Sequence, residues 1–324
     1  MMGVTARVLV GDVRERLAGV EAGSVQTCVT SPPYWGLRDY GNDGQIGLEG
    51  SPEEFVEALC LVFDEVWRVL ADDGTLWLNL GDSYKPAGNS STKKGFNERY
   101  FGKKFGRDKQ SDDQGHVERS RFSAEGVKPK DLVGIPWRVA FALQARGWYL
   151  RSEIIWAKPN PMPESVTDRP TKSHEHIFLL AKSATYFYDH EAIKEPVSGQ
   201  WGTRDRSKGK YHNEGTGLQP HSGLEKEYES RNKRDVWTVS TKGYAGAHFA
   251  VYPTALIEPC IFAGSREGDT VLDPFSGSGT TGVVALRHGR NYLGCELNPD
   301  YAELSRQRIS DDCGMFGEVI LDAE

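Results

Sequence analysis

Short apolar runs alternate with amphipathic stretches along most of the chain. Residues 6–10 (ARVLV) and 24–30 (SVQTCVT) are apolar enough to be buried strands, and each ends in a polar or proline-containing turn. Residues 52–70 place apolar side chains at helical spacing, with Ser51 and Glu54 forming a capping box at the start. A turn at Asp73-Gly74 leads into a strand over 75–80. The pattern then predicts a helix over 135–146, strands over 148–156 and 176–181, and a helix over 253–264. It continues with strand 270–272, helix 280–288, strand 291–295 and helix 299–309. This alternation predicts an α/β fold on a mostly parallel sheet, with Trp77 and Trp148 as core aromatics.

Two stretches break the rhythm. Residues 83–131 are rich in Gly, Lys, Ser, Asn and Asp, and residues 189–245 are polar with Trp201, Tyr211, Tyr228 and Trp237 interleaved. Polar segments of that length are functional loops or disordered insertions. The 324 residues carry a net charge of −7, spread unevenly. Lys85–Lys130 holds 12 Lys/Arg against 6 Asp/Glu, a surplus of +6 that leaves −13 on the remainder. A local basic segment is what a phosphate-gripping protein needs, whatever its total charge. Five cysteines, odd in number and without a C-x-x-C, point to reduced thiols and a cytoplasmic setting. No apolar run reaches the length of a membrane span, and the first residues lack a signal-peptide core. His174 and His176 flank Glu175 without a third ligand at recognisable spacing, so no metal is expected.

The most legible motif runs from Val271 to Gly282, where Gly277, Gly279 and Gly282 satisfy G-x-G-x-x-G between a strand and a helix. Glu296 follows 17 residues beyond Gly279, at the end of the next strand. A carboxylate there accepts both hydroxyls of a ribose, which points to an adenosine-containing cofactor. Asp273 stands immediately before the loop. Its charge opposes a pyrophosphate but suits the ammonium and sulfonium of S-adenosylmethionine. The loop therefore favours a methyl donor over a dinucleotide.

Thr30-Ser31-Pro32-Pro33-Tyr34-Trp35 follows a strand, at the carboxyl end where open α/β sheets bind ligands. Two prolines remove N–H donors and stiffen the backbone, leaving carbonyls free to accept. An aromatic amine bound there donates one hydrogen to Ser31 Oγ and one to the Pro32 carbonyl. Those acceptors draw its delocalised lone pair toward tetrahedral geometry and stabilise the positive charge that develops as a methyl group arrives. Tyr34 offers a ring to stack on a flat base.

These motifs resemble the DNA amino-methyltransferases that modify cytosine N4 or adenine N6, in the circularly ordered group called β. The resemblance rests on Thr30–Tyr34 and Asp273–Thr281, with support from Gly11-Asp12, Gly74–Asp82, Trp156–Pro159 and His248–Pro253. It implies a Rossmann-like class I methyltransferase fold: a mostly parallel sheet of about seven strands, helices on both faces, and an antiparallel last strand. The two halves are swapped in sequence order, and the long polar insertions lie outside the resemblance. Residues 1–188 would form the catalytic half with the basic insertion, 189–245 the target-recognition region, and 246–324 the cofactor-binding half of the same domain.

Residue by residue, the resemblance implies that Ser31, Pro32, Pro33 and Tyr34 are catalytic. Asp12 would accept from the cofactor's adenine amine and Glu296 would hold its ribose. Asp273, Phe275, Gly277, Gly279 and Thr280 would line the methionine end, and Asn298 is counted with the cofactor-binding residues. His248–Pro253 would lead into a helix closing over that end, with Phe249 where the family often has proline. The substrate would be a base flipped from double-stranded DNA, in a bacterial or phage-encoded protein. The basic insertion, outside the resemblance, adds Lys93, Lys94, Lys103 and Lys104 as expected DNA-binding residues by its charge alone. Family members with serine at the head of the segment mostly modify cytosine N4, and those with aspartate mostly adenine. A neutral hydroxyl can also donate to the ring nitrogen beside the amine. Cytosine N4 is therefore favoured and adenine N6 stays open, as do dimerisation and a cognate restriction endonuclease. The distant alternatives are an NAD-dependent oxidoreductase and a non-catalytic DNA-binding protein.

Overall fold

The computed structural model describes residues 3–85, 127–196, 230–241, 252–314 and 317–323. Lys93, Lys94, Lys103, Lys104 and His248 to Val251 lie outside the described residues. In chain order the elements begin with β1 (Val4–Val10), α1 (Val13–Ala18), β2 (Val25–Thr30), α2 (Pro52–Val69) and β3 (Leu70–Leu80). There follow α3 (Ile135–Ala145), β4 (Tyr149–Ala157), β5 (His174–Ala181), β6 (Glu195–Pro196), β7 (Ser230–Arg231) and β8 (Val236–Thr238). The chain continues through α4 (Thr254–Gly264), β9 (Thr270–Asp273), α5 (Thr280–Arg287), β10 (Asn291–Glu296), α6 (Pro299–Cys313) and β11 (Gly317–Asp322).

Nine strands form one sheet in the order β11-β1-β10-β9-β2-β3-β5-β4-β8. β5 runs antiparallel to both of its neighbours, β3 and β4, and the remaining ladders of the sheet are parallel. The antiparallel strand is thus inside the sheet rather than at its edge. The sheet exceeds the expected seven strands by β8 and β11, one at each edge. β8 is three residues (VWT) inside a polar stretch, too short to carry a period.

The expected turn at Asp73-Gly74 is instead an irregularity within β3. Val25 pairs with Leu70 but Thr27 with Thr75, so Ala71–Gly74 bulges out of the ladder. α2 starts as its sequence requires: Ser51 is the N-cap and its hydroxyl accepts from the Glu54 backbone N–H at 3.2 Å. The apolar stripe of α2, with Phe55, Leu59, Phe63 and Val66 fully buried, packs with α1 and α3 on one face of the sheet. Burying each such side chain contributes about 1.5–3 kcal/mol. A second cluster on the other face gathers Leu256 and Ile261 of α4, Val283 and Val284 of α5, and Ile309 of α6. Trp77 joins that second cluster and Trp148 the first, both buried.

The topology places the site. β9 connects through α5 to β10 on one side, whereas β2 connects through α2 to β3 on the other, with β9 and β2 adjacent. The crevice at the carboxyl ends of such diverging strands is where open α/β sheets bind ligands. The basic insertion leaves the sheet beyond β3 and returns close by, because Lys85 N–H donates to Asp131 O and Lys130 N–H to Lys85 O, both at 2.9 Å. Among the described residues, no helix is long and apolar enough to cross a membrane, and no three metal-ligating side chains cluster.

Candidate active site

A cavity of about 630 Å³ opens at the carboxyl ends of β1, β10, β9, β2 and β3. It is lined by Asp12, Ser31, Pro32, Pro33, Tyr34, Asp273, Phe275, Gly277, Thr280, Glu296 and Asn298. The catalytic segment and the glycine loop, some 240 residues apart in sequence, meet here because β2 and β9 are neighbours. A direct bond rivets them: Thr30 Oγ1 donates to Asp273 Oδ1 at 2.6 Å.

Asp273 is 1% exposed and saturated with donors. Its Oδ1 also accepts from the Phe275 backbone N–H at 3.1 Å, and its Oδ2 from Thr281 Oγ1 at 2.7 Å and Tyr252 OH at 3.0 Å. Burial pushes this carboxyl above the ordinary aspartate value, with the four donors opposing the shift. These bonds tie the two sequence halves together at the cavity wall, which Asp273 also lines.

Glu296 holds the other side of the cavity. Its Oε2 accepts from the Gly277 N–H at 2.8 Å and its Oε1 from the Asn298 N–H at 3.0 Å. Burial pushes its carboxyl up to about 7. Asn298 spends its side chain as the N-cap of α6, accepting from Asp300 and Tyr301. Asp12 likewise caps α1 and pairs with the Arg14 guanidinium, whose hydrogen bonds hold its carboxyl below the ordinary value. Gly279 stands apart from the lining. It caps α5 at φ +75°, and a Cβ there would run into Ser305 Oγ, so it serves close packing of the loop against α6.

The volume and the paired carboxylate fit an adenosine-bearing methyl donor. An ionised Glu296 is the better ribose acceptor. Donor affinity should therefore be full above pH 7 and fall, by up to about tenfold per unit, as Glu296 protonates below it. Calorimetry at pH 6, 7 and 8 checks this, and a flat profile would remove Glu296 from the ribose.

At the β2 end, Tyr34 lies with its ring edge on the Gly81 backbone, where a Cβ would be 2.5 Å from Tyr34 Cε2. Gly81→Ala should displace the ring and lower the methylation rate about tenfold with fold and donor affinity kept; a rate equal to that of the unmodified protein would show that the ring position is uncritical. Behind the ring lies a network absent from the sequence expectations. Asn79 Nδ2 reaches Ser31 Oγ at 3.3 Å, Tyr34 OH at 3.0 Å and Glu175 Oε2 at 3.0 Å. Tyr34 OH donates to Glu175 Oε2 at 2.6 Å, and Glu175 Oε1 pairs with Lys158 Nζ. Ser31 Oγ and Tyr34 OH thus share one donor, the Asn79 amide. Asn79, Lys158 and Glu175 all line the cavity. The one available signal was strand alternation: His174 and His176 share a face, their rings 5.2 Å apart, which sends Glu175 to the opposite one.

Residues 25–307 match the DNA methylase family N6_N4_Mtase. The type II methyltransferase M.SmaI of Serratia marcescens is 46% identical over 306 residues, 94% of this chain and 91% of its own. M.Cfr9I of Citrobacter freundii, also a type II methyltransferase, is 47% identical over 307 residues, 95% and 88% of the two chains. A candidate DNA modification methylase from Thermus thermophilus, solved with S-adenosyl-L-methionine, aligns with a TM-score of 0.58 at 25% identity over 98% of this chain and 99% of its own. The cytosine-N4-specific PvuII DNA methyltransferase shares the fold, with a TM-score of 0.61 at 18% identity over 99% and 95%. With its site assembled from both sequence halves and this family match across most of its length, the chain belongs to the N6/N4 DNA methylase family and is an S-adenosyl-L-methionine-dependent DNA methyltransferase.

Proposed function

We propose that the protein methylates cytosine N4 at a specific site in double-stranded DNA. The observation that carries this reading is Ser31: a neutral hydroxyl, not a carboxylate, heads the segment at the cavity wall, and in the resembling family serine there mostly accompanies N4 modification. S-adenosyl-L-methionine supplies an activated methyl group on a sulfonium centre. Asp12 and Glu296 flank its adenosine, with Phe275, Gly277 and Thr280 toward its methionine end. Ser31 Oγ and the Pro32 carbonyl accept the amine hydrogens of the flipped base and pull its lone pair out of conjugation. Asn79 adds a polar wall beside them; it is 5% exposed, and its Oδ1 has no partner among the described residues. The Tyr34 ring stacks on the base. Mass spectrometry of nucleosides from treated DNA tests the reading. N4-methylcytosine is expected, and N6-methyladenine without it would overturn the base assignment while leaving the reaction type in place.

The basic insertion over 83–131 is assigned to the DNA backbone and residues 189–245 to target recognition, since base readout needs side chains on irregular segments beside the flipped base. Neutralising Lys93, Lys94, Lys103 and Lys104 should weaken binding to all sequences and flatten its salt dependence. A quadruple variant with the original salt slope would make the insertion a bystander. The type II designation of both relatives supports a modification enzyme acting beside a restriction endonuclease.

A further inference from the structure

Three neighbouring strands bring polar side chains together behind the Tyr34 ring. β5 lies between β3 and β4 and contributes Glu175, β3 contributes Asn79, and Lys158 follows the end of β4. Glu175 Oε2 accepts from Tyr34 OH at 2.6 Å and from Asn79 Nδ2 at 3.0 Å, and its Oε1 pairs with Lys158 Nζ. The side chains of Lys158 and Glu175 are 17% and 14% exposed. A pair this buried adds little net stability, because desolvation offsets the attraction. What it supplies is a fixed acceptor. Lys158 in turn lies over the Trp156 ring at 4.2 Å, which holds the ammonium beside the carboxylate.

An ionised carboxylate has no proton to give, so it dictates the direction of every bond around it. Burial alone would raise Glu175, but the Lys158 ammonium and the hydrogen bonds from Tyr34 and Asn79 hold it below the ordinary glutamate value. Tyr34 must therefore donate to it. Asn79 must turn Nδ2 toward it, since Oδ1 in that place would set two acceptors face to face. With the amide so turned, Nδ2 also reaches Tyr34 OH at 3.0 Å and Ser31 Oγ at 3.3 Å, and it can only donate to them. One acceptor thus orients Tyr34 directly, and Ser31 through an asparagine that is itself buried.

We propose that Glu175 is a positioning residue for methyl transfer, holding the Tyr34 hydroxyl itself and orienting the Ser31 hydroxyl by way of Asn79. The proposal rests on the reading that Ser31 and Tyr34 meet the base, and it holds for cytosine N4 or adenine N6. Glu175 acts through these two side chains, keeping ring and hydroxyl in the geometry from which the amine attacks. Lys158, by occupying Oε1, fixes which oxygen faces Tyr34.

Single-turnover methylation at saturating DNA and donor tests this, with both affinities measured alongside. Tyr34→Phe keeps the ring but loses its tether, and should slow transfer about tenfold. Glu175→Gln should slow it about 10²-fold, because Lys158 holds the new amide by its oxygen and turns its NH2 group toward Tyr34 and Asn79. Asn79 then has to present Oδ1, and Ser31 loses its donor. Both affinities should stay within about threefold, so that the loss appears in the rate at saturation. Adding Tyr34→Phe to Glu175→Gln should slow transfer by much less than a further factor of about ten. In Glu175→Gln/Lys158→Met the amide is free to turn its oxygen back to Tyr34 and Asn79, and the rate should recover to within about tenfold of the unmodified protein. That neutral pair leaves no buried charge unpaired, so it carries the test alone if Glu175→Gln fails to fold. A Glu175→Gln rate within about threefold of the unmodified protein, losses that multiply with Tyr34→Phe, or a neutral pair slowed about 10²-fold or more would overturn the proposal. Failure of the underlying reading looks different: Ser31→Ala would then transfer methyl within about tenfold of the unmodified rate.

Discussion

Ser31→Ala should lower the single-turnover methylation rate by about 10²–10³-fold, the usual cost of losing one group that stabilises charge developing in a transition state. Donor affinity should stay within about twofold, since Ser31 touches the base and not the adenosine side of the cavity. The fold should survive, because Asn79 Nδ2 keeps its bonds to Tyr34 and Glu175 at 3.0 Å each. Rapid quench with labelled donor reads the rate and calorimetry reads the affinity. A rate within tenfold of the unmodified protein would remove Ser31 from the chemistry, and a collapse of donor affinity would place it on the wrong ligand.

Glu296→Ala should weaken donor binding by about 1.5–3 kcal/mol, roughly 10- to 150-fold, the worth of a hydrogen bond to a charged acceptor. Part of that loss would come from the protein itself, since the Gly277 and Asn298 N–H groups now bonded to Glu296 would lose their acceptor. Glu296→Gln separates the two contributions. Its amide oxygen can still serve one of those N–H groups, but it has no charge, so its donor affinity should be reduced and independent of pH near 7. Unchanged affinity in the alanine variant would dissociate Glu296 from the ribose.

The alternation of β2, α2, β9, α5, β10 and α6 was legible in the sequence because each segment is long and apolar enough to show its period. The two chemical motifs were legible because each is contiguous: a strand end followed by S-P-P-Y, and a strand end followed by the glycine loop. Their placement on one cavity wall follows from parallel sheet topology, which sends strand carboxyl ends to one side. What a linear reading withheld depends on neighbours brought in by the sheet. Asn79 in β3 looked like one polar residue in an apolar strand, and Glu175 like the middle of a histidine pair. Insertion of antiparallel β5 beside β3 sets Leu80 opposite His176 and Asn79 opposite Ile177, which carries Glu175 to the Tyr34 hydroxyl. The same holds for Asp273, whose charge reads as free along the chain and is met by donors from β2, α5 and Tyr252 in the fold. Local pattern determined which segments are strands, helices and chemical loops, because periodicity and turn chemistry act over a few residues. Tertiary structure alone decided which polar side chains are partnered, because a buried donor or acceptor is satisfied by whatever strand lies beside it, however distant in sequence.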